Sequence, residues 1–473
     1  MAKDVFDAPM APYGDDYGEY AEYDGLGDLI DLKAAFDLPD EMPPLRLPPM
    51  ADLAGLARTA PMIERLRALA EWLGTGRAVD ENAELTGADA AEAATVTGMS
   101  AGRLAYLWRL ALDAGFVDLD DGETHAIPGE LAETFADGDD EAVLEVWDRL
   151  FGLVIGTTLE VAASMDPRRA KELYFDGHGA GLAVMLFLER GHGVPVAEAI
   201  EVMKNAATEE LPPVQAEKAW QSWVRAHGDP ARLLLEQMGD LGAVRVLESE
   251  DGEVARLTPL GLAALRDQFV DSGVDIPLLP PAEEMTAEDL IAMAPAVSGE
   301  EFEAEIAAWL AHRTLESAAR DLLSVAADAD TDSRMVAITV ATGLGADAEP
   351  AWRDALDKIQ LRAYAKASLS ELAGDELPDL DPEDVAWMII DTLVIDGWDD
   401  PDDSALDAVA LANRLRQAIP SGQETFAFEM MARVPHPQAR DVLTVIGRHH
   451  PDKKIAKMAR TAAYKASTRH RSL

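Results

Sequence analysis

A chain of 473 residues, 48% of them hydrophobic, is long enough for two or three domains, each with its own core. Its 88 acidic and 40 basic residues give a formal charge of −48, which opposes general binding to polyanions such as nucleic-acid backbones or anionic membranes. With no cysteine, disulfides, thiolate metal sites and cysteine nucleophiles are excluded.

Residues 1–50 read as a disordered acidic-aromatic arm and linker. Tyr13, Tyr17, Tyr20 and Tyr23 sit among Gly, Asp and Glu. An acidic amphipathic stretch from Leu26 to Leu38 follows, and Pro39, Pro43, Pro44, Pro48 and Pro49 stiffen what comes next. Leu29, Ile30, Leu32 and Phe36 are expected to dock as a helix in a partner's groove. The acidic start lacks the basic and apolar pattern of a signal peptide. The longest apolar runs, Leu150 to Gly156 and Gly181 to Leu188, are too short to span a bilayer. A cytoplasmic chain without membrane contact is the expectation.

Residues 51–137 form a first module. A helix with apolar spacing from Met62 to Leu73 stops at Gly74, and a short helix is expected near Ala88 to Ala94. A further helix from Arg103 stops at Gly115, Asp121-Gly122 marks a hairpin, and Pro128 opens the next helix. Residues 138–228 read as a helical connector, with separate helices at Glu141 to Phe151 and Thr158 to Ser164 among others.

The second module, 229–272, repeats the order of the first. A helix opens at Pro230 and stops at Gly242. An Asp251-Gly252 hairpin follows, and Thr258-Pro259 opens a helix, Thr as cap and Pro in the first turn. Asp-Gly here predicts a type I′ turn with positive φ at both central residues. Prolines 277, 280 and 281 mark a linker over 273–285. From 286 to 473 only helices are expected.

The order helix, Gly, hairpin, Pro-opened helix resembles the second half of a winged helix, down to the Leu257-Thr-Pro-Leu-Gly261 phrase of winged-helix regulators. Aligning Pro128 with Pro259 also aligns Leu131 with Leu262 and Ala132 with Ala263, so both modules carry the resemblance. The Met62–Leu73 helix, the turn at Arg77 and Leu85 to Ala90 are loosely similar to actinobacterial proteins of unknown function, which implies no activity. In the last region Asp332-Ser-Arg334, Arg362-Ala-Tyr-Ala365 and Asp452-Lys-Lys454 are similar to the helix starts of HEAT repeats. The expected fold is mainly α: two winged-helix-like α+β modules with short hairpins, then an α-solenoid or helical bundle.

Candidate chemistry is sparse. Gly98-Met-Ser100-Ala-Gly102 fits the nucleophile elbow of α/β-hydrolases, with His178 or His192 as partners, but the parallel sheet such an elbow needs is not foreshadowed. Ser100 reads more simply as a helix cap. Asp328, Asp330 and Asp332 begin like a calcium loop, yet Ser333 and Thr339 occupy the positions that need Gly and Glu. Asp332 reads as a cap there. The acids around Trp398 lack fixed spacing, and the glycines at 177–181 and 191–193 follow no strand and precede no Lys-Ser/Thr. No cofactor or metal is expected.

The hairpins carry Asp118, Asp120, Asp121, Glu123, Glu248, Glu250, Asp251 and Glu253, a sign that disfavours DNA. The one basic patch is Lys453, Lys454, Lys457, Arg460 and Lys465, continued by Arg469 and Arg471. It reads as a face for nucleic acid, an acidic partner or the chain's own acidic arm, or as cations suited to the C-terminal end of a helix dipole. The function expected is non-enzymatic protein–protein interaction through the arm, the helical surface and this helix. A DNA-binding regulator is the first alternative and a Ser100 hydrolase the second. Partner identity and oligomeric state are not encoded legibly.

Overall fold

The computed structural model describes residues 32–164, 173, 175, 177–373, 380–401 and 406–470. The chain is mainly helical with two small antiparallel sheets, and it divides into two compact units. The first runs to Leu279 and takes in 295–298; the second comprises Pro280–Ala294 and Gly299–Leu473.

The first unit holds both sheets. Helix Pro61–Leu73 leads to strand β1 (Arg77–Ala78), helices Gly87–Thr97 and Ala101–Asp113, and the hairpin β2 (Val117–Leu119) and β3 (His125–Pro128), in the order β1-β3-β2. Helix His178–Leu188 leads to β4 (Val194–Pro195), helices Val196–Thr208, Pro213–His227 and Pro230–Asp240, and the hairpin β5 (Val244–Ser249) and β6 (Gly252–Leu257), in the order β4-β6-β5. The second sheet therefore starts well before residue 229. Half of the segment read as a connector belongs to it. β4 pairs only Val194 with Ala255 and Pro195 with Val254, and two residues cannot display a strand period.

Both hairpins fall where Asp-Gly placed them, but neither turn is type I′. In the second, Ser249 pairs with Gly252, leaving Glu250 and Asp251 at the centre, and only Gly252 has positive φ, at 121°. In the first, Glu123 rather than Gly122 takes the left-handed conformation, at φ 52°. There the Asp120 carboxylate accepts hydrogen bonds from the backbone N–H groups of Thr124 and His125 at 2.8 and 3.1 Å, supplying what a tighter turn would have closed by itself.

One long helix, Asp140–Ser164, replaces the two expected. Glycine in a helix costs about 1 kcal/mol against alanine, too little for Gly152 or Gly156 to break a helix that buries Trp147, Leu150, Phe151 and Val154. Helices Met50–Arg58, Ala101–Asp113, His178–Leu188 and Pro230–Asp240 all pack on it. The Trp147 indole N–H donates to the carbonyl of Leu241 at 3.0 Å, and Tyr106 and Thr158 hydroxyls meet at 2.8 Å. The glycine at 179 serves this packing: a Cβ there would sit 2.0 Å from the carbonyl oxygen of Ile155.

Residues 32–50 differ from the free arm and stiff spacer expected. Leu32 is 1% exposed, Leu38, Met42 and Leu45 are buried, and Phe36 packs against the same core. The proline segment lies alongside residues 275–279. Met42 N–H donates to Asp275 O, Asp275 N–H to Asp40 O, Leu45 N–H to Pro277 O and Leu279 N–H to Leu45 O, at 2.8 to 3.1 Å. Prolines have no N–H, so the non-proline residues between them carry this pairing.

The second unit is all helical among its described residues. Helix Leu315–Asp328 packs on Thr331–Gly343. Helix Pro382–Ile395 is the centre of the remainder, touching Thr331–Gly343, Arg362–Ala373, Glu424–Met431 and Ala439–His449. Asp330, not Asp332, caps Thr331–Gly343, accepting the Ser333 N–H at 2.9 Å.

Candidate functional site

The inner face of helix Pro382–Ile395 is fixed by ions. Asp391 is fully buried and accepts hydrogen bonds from four side chains: Arg334 at 2.6 Å, His436 Nε2 at 2.9 Å, Tyr364 at 2.8 Å and Thr331 at 3.2 Å. His436 Nδ1 accepts the backbone N–H of Gln438, which leaves Nε2 as the proton-bearing nitrogen toward Asp391. Burial alone would raise the Asp391 carboxyl. The His436 hydrogen bond and the Arg334 charge outweigh it and hold the carboxyl below the ordinary aspartate range. Burial and then the Asp391 charge push the Tyr364 hydroxyl well above the usual tyrosine range, so it remains a donor. Two turns back Asp384, 2% exposed, takes Arg362 Nε at 2.7 Å and Lys366 Nζ at 2.5 Å.

With Asp384, Trp387 and Asp391 turned inward, helical geometry turns Pro382, Val385 and Ile389 another way. They form one wall of an apolar groove of about 210 Å³ whose other wall is helix Glu424–Met431, through Phe426 and Met430. Val385 is 40% exposed, Phe426 51% and Leu380, at the rim, 38%. Ile419 lines this groove and also a smaller cleft beside it, shared with Arg416, His450 and Ile455.

Helix Glu424–Met431 presents its opposite side to helix Lys453–His470. Thr425 Oγ1 lies 2.9 Å from the Met458 sulfur and Lys465 pairs with Glu429 at 3.2 Å. Arg460 donates to the carbonyl of Gly447, where a Cβ would meet the arginine side chain at 2.6 Å. Of the five cations expected to face a partner, Arg460 and Lys465 thus have internal contacts. Lys453, Lys454 and Lys457 are exposed, and among the described residues no carboxylate pairs with them.

Among the described residues, none of the others singled out in the sequence lines this groove. Leu29 and Ile30 lie outside the described residues, while Leu32 and Phe36 are core or core-packed and unavailable for docking as read from sequence. Ser100 occupies the N-cap position of its helix without a side-chain cap bond, and a helix rather than a strand precedes it, so the elbow geometry is missing. Gly177 and Gly193 have positive φ, at 69° and 76°, and serve a helix start and the turn into β4. Among the described residues no three His, Asp or Glu side chains are grouped to hold a metal ion, and no described helix is long and apolar enough to cross a membrane.

A nucleic-acid surface on the two sheet-bearing repeats would use the helix before the hairpin of each, Ala101–Asp113 and Pro230–Asp240. Their three arginines are all matched to carboxylates. Arg103 pairs with Glu236 of the other repeat at 2.7 Å, Arg109 with Asp113 at 3.3 Å and Arg232 with Glu253 of its own hairpin at 2.5 Å. Both helices lean on Asp140–Ser164, which is why residues 133 positions apart can meet.

The groove itself was not anticipated. A signal for it existed: Phe426 and Phe428 are two apart on one helix and cannot both face the core, and Phe428 is the buried one, at 1%. Comparison with other proteins adds no relative: no family model matches the chain, and neither a curated protein nor a solved structure does.

Proposed function

We propose that the chain is a non-enzymatic protein–protein interaction or scaffold protein of the cytoplasm. In this reading the sheet-bearing repeats are winged-helix-like modules adapted to structural roles, and the second unit is a HEAT-like helical array presenting a docking groove. The observation that carries it is the cluster of Val385, Phe426 and Leu380 left half in water around an apolar groove, since ordered apolar side chains kept in solvent are worth their cost where a partner covers them. The arm contributes Leu29 and Ile30 as contacts, not Leu32 and Phe36.

Arginine pairing on both of the helices that precede the hairpins weighs against the DNA-binding alternative, because a phosphate would have to displace a carboxylate at every one of them. The test is affinity capture on the full chain and on Phe426→Asp, followed by reconstitution of each captured protein from pure components. The expectation is direct binding of one partner to the wild type, lost in the variant with its circular dichroism unchanged. Retardation of random duplex DNA by the pure chain, weakening as salt is raised, would replace this reading with the regulator.

A further inference from the structure

Resting on the interaction reading, we infer that the groove of the second unit receives an acidic amphipathic segment of a partner protein. The segment's apolar side would fill the groove between Val385, Ile389 and Phe426, and its carboxylates would meet Lys453, Lys454 and Lys457.

Three observations carry this. The first is the placing of the lysines. They occupy the first five positions of helix Lys453–His470, whose first turn has no acidic residue. That is the positive end of the helix dipole, where cations are disfavoured. The dipole explanation suits the far end of this helix and runs backwards here. The second is their lack of partners. The chain has more than two carboxylates for every cation, yet residues 432–473 hold ten of the 40 Lys and Arg and only two of the 88 acids. Among the described residues these three exposed ammonium groups stay unmatched in a protein with carboxylates in excess, so they stand open to the carboxylates of a partner.

The third is continuity. Ile419 lines both the apolar groove and the cleft that contains Ile455, Arg416 and Glu424, and Ile455 follows Lys454 directly. A segment leaving the groove past Ile419 reaches the cleft of Arg416 and Glu424, at the start of the helix that carries the three lysines. A polynucleotide fits this surface poorly, because Gln423 is the only polar side chain among the groove residues and a sugar-phosphate chain gains nothing there.

The experiment measures fluorescence anisotropy of a labelled 18-residue peptide with Leu and Glu at helical spacing, its Lys-for-Glu counterpart, and a random 20-base-pair duplex, against the full-length chain. The Glu peptide is expected to bind. Its affinity should fall at least about tenfold in Phe426→Asp and in Val385→Asp, and about tenfold in the triple variant Lys453→Glu, Lys454→Glu, Lys457→Glu, with a similar loss on raising salt, while the Lys peptide binds no form. Equal binding of both peptides, or a triple variant that holds the Glu peptide as wild type does, overturns the acidic partner but leaves the groove reading standing, provided the two groove variants abolish it. No peptide binding, or binding indifferent to both groove variants, removes the groove reading itself. Duplex binding lost in the triple variant and untouched by Phe426→Asp overturns the inference in favour of nucleic acid.

Discussion

The two units secure themselves by different means. In the first, one apolar cluster runs from Leu32 to Ile276, and its close contacts are backbone on backbone. A Cβ on Gly261 would fall 2.3 Å from the carbonyl oxygen of Ala243, and one on Gly129 2.2 Å from that of Gly115. In the second, two buried aspartates, Asp384 and Asp391, gather Arg362, Lys366, Arg334 and His436 from neighbouring helices and from the loop after Val434. An apolar core tolerates small losses gradually. A buried carboxylate with four partners does not, because any one deletion strands charge away from water. The contrast teaches where each unit is brittle.

The largest effect expected is therefore in the second unit. Asp391→Ala leaves Arg334 without its counter-charge and His436 without its acceptor, and should cost about 3–5 kcal/mol. Hydrogen exchange resolved along the chain should show protection lost across residues 315–450 and unchanged before Leu279. Loss spread over both units would dissolve the contrast. Next comes Gly261→Ala, which forces helix Pro259–Asp271 off the start of β5 and should cost about 1–3 kcal/mol, confined to the first unit. Gly129→Ala repeats the test in the other repeat.

Acid sharpens the comparison because a buried carboxyl in each unit, Asp148 in the first and Asp391 in the second, is shifted in the opposite direction. Burial and the nearby charges of Asp267 and Asp271 push the Asp148 carboxyl up to about 6. The folded first unit thus holds a proton that the unfolded chain, with an ordinary aspartate near 3.9, gives up. That contribution is fully present below about pH 3.9 and is lost as pH rises through 6, so the first unit gains stability on going from pH 7 to 4.5. Asp391 is depressed instead. Its contribution is present above about pH 3.9 and is lost as pH falls through its lower folded value, so the second unit fails first in strong acid. Asp148→Asn should remove the rise in the first unit and stabilise it at pH 7 by about 2 kcal/mol, read from denaturant midpoints at both pH values. The smallest effect is Arg103→Ala. Its pair with Glu236 is more than half exposed, and its loss should shift stability by no more than about 0.5 kcal/mol.

How much of this could be read beforehand follows the range of each signal. Local rules served well: Thr258 caps the helix that Pro259 begins, and both hairpins lie where Asp-Gly placed them. Their turn geometry was not legible, since it rests on which residue tolerates positive φ once Asp120 has bonded the loop. β1 and β4 were invisible because two residues have no period. The fate of the segment after Leu32 was hidden because composition averages over a whole stretch, whereas the four side chains of Leu32, Leu38, Met42 and Leu45 suffice to anchor it. At the groove, Val385 and Ile390 are the same kind of letter, and only the ion network on Asp384 and Asp391 decides which of them meets water. The three lysines were found from sequence, but the end of the helix they occupy changes what they mean.

The pairing of Asp40 to Leu45 with Asp275 to Leu279 bears on synthesis. A ribosome delivers the first partner early and the second only after more than two hundred further residues, so the seam cannot close while the chain is short. Until Leu279 has left the exit tunnel, Met42 and Leu45 lack their backbone acceptors and cover. Stalled nascent chains that end before Val274 should accordingly be clipped by protease near these prolines, and chains that extend past Leu310 should resist.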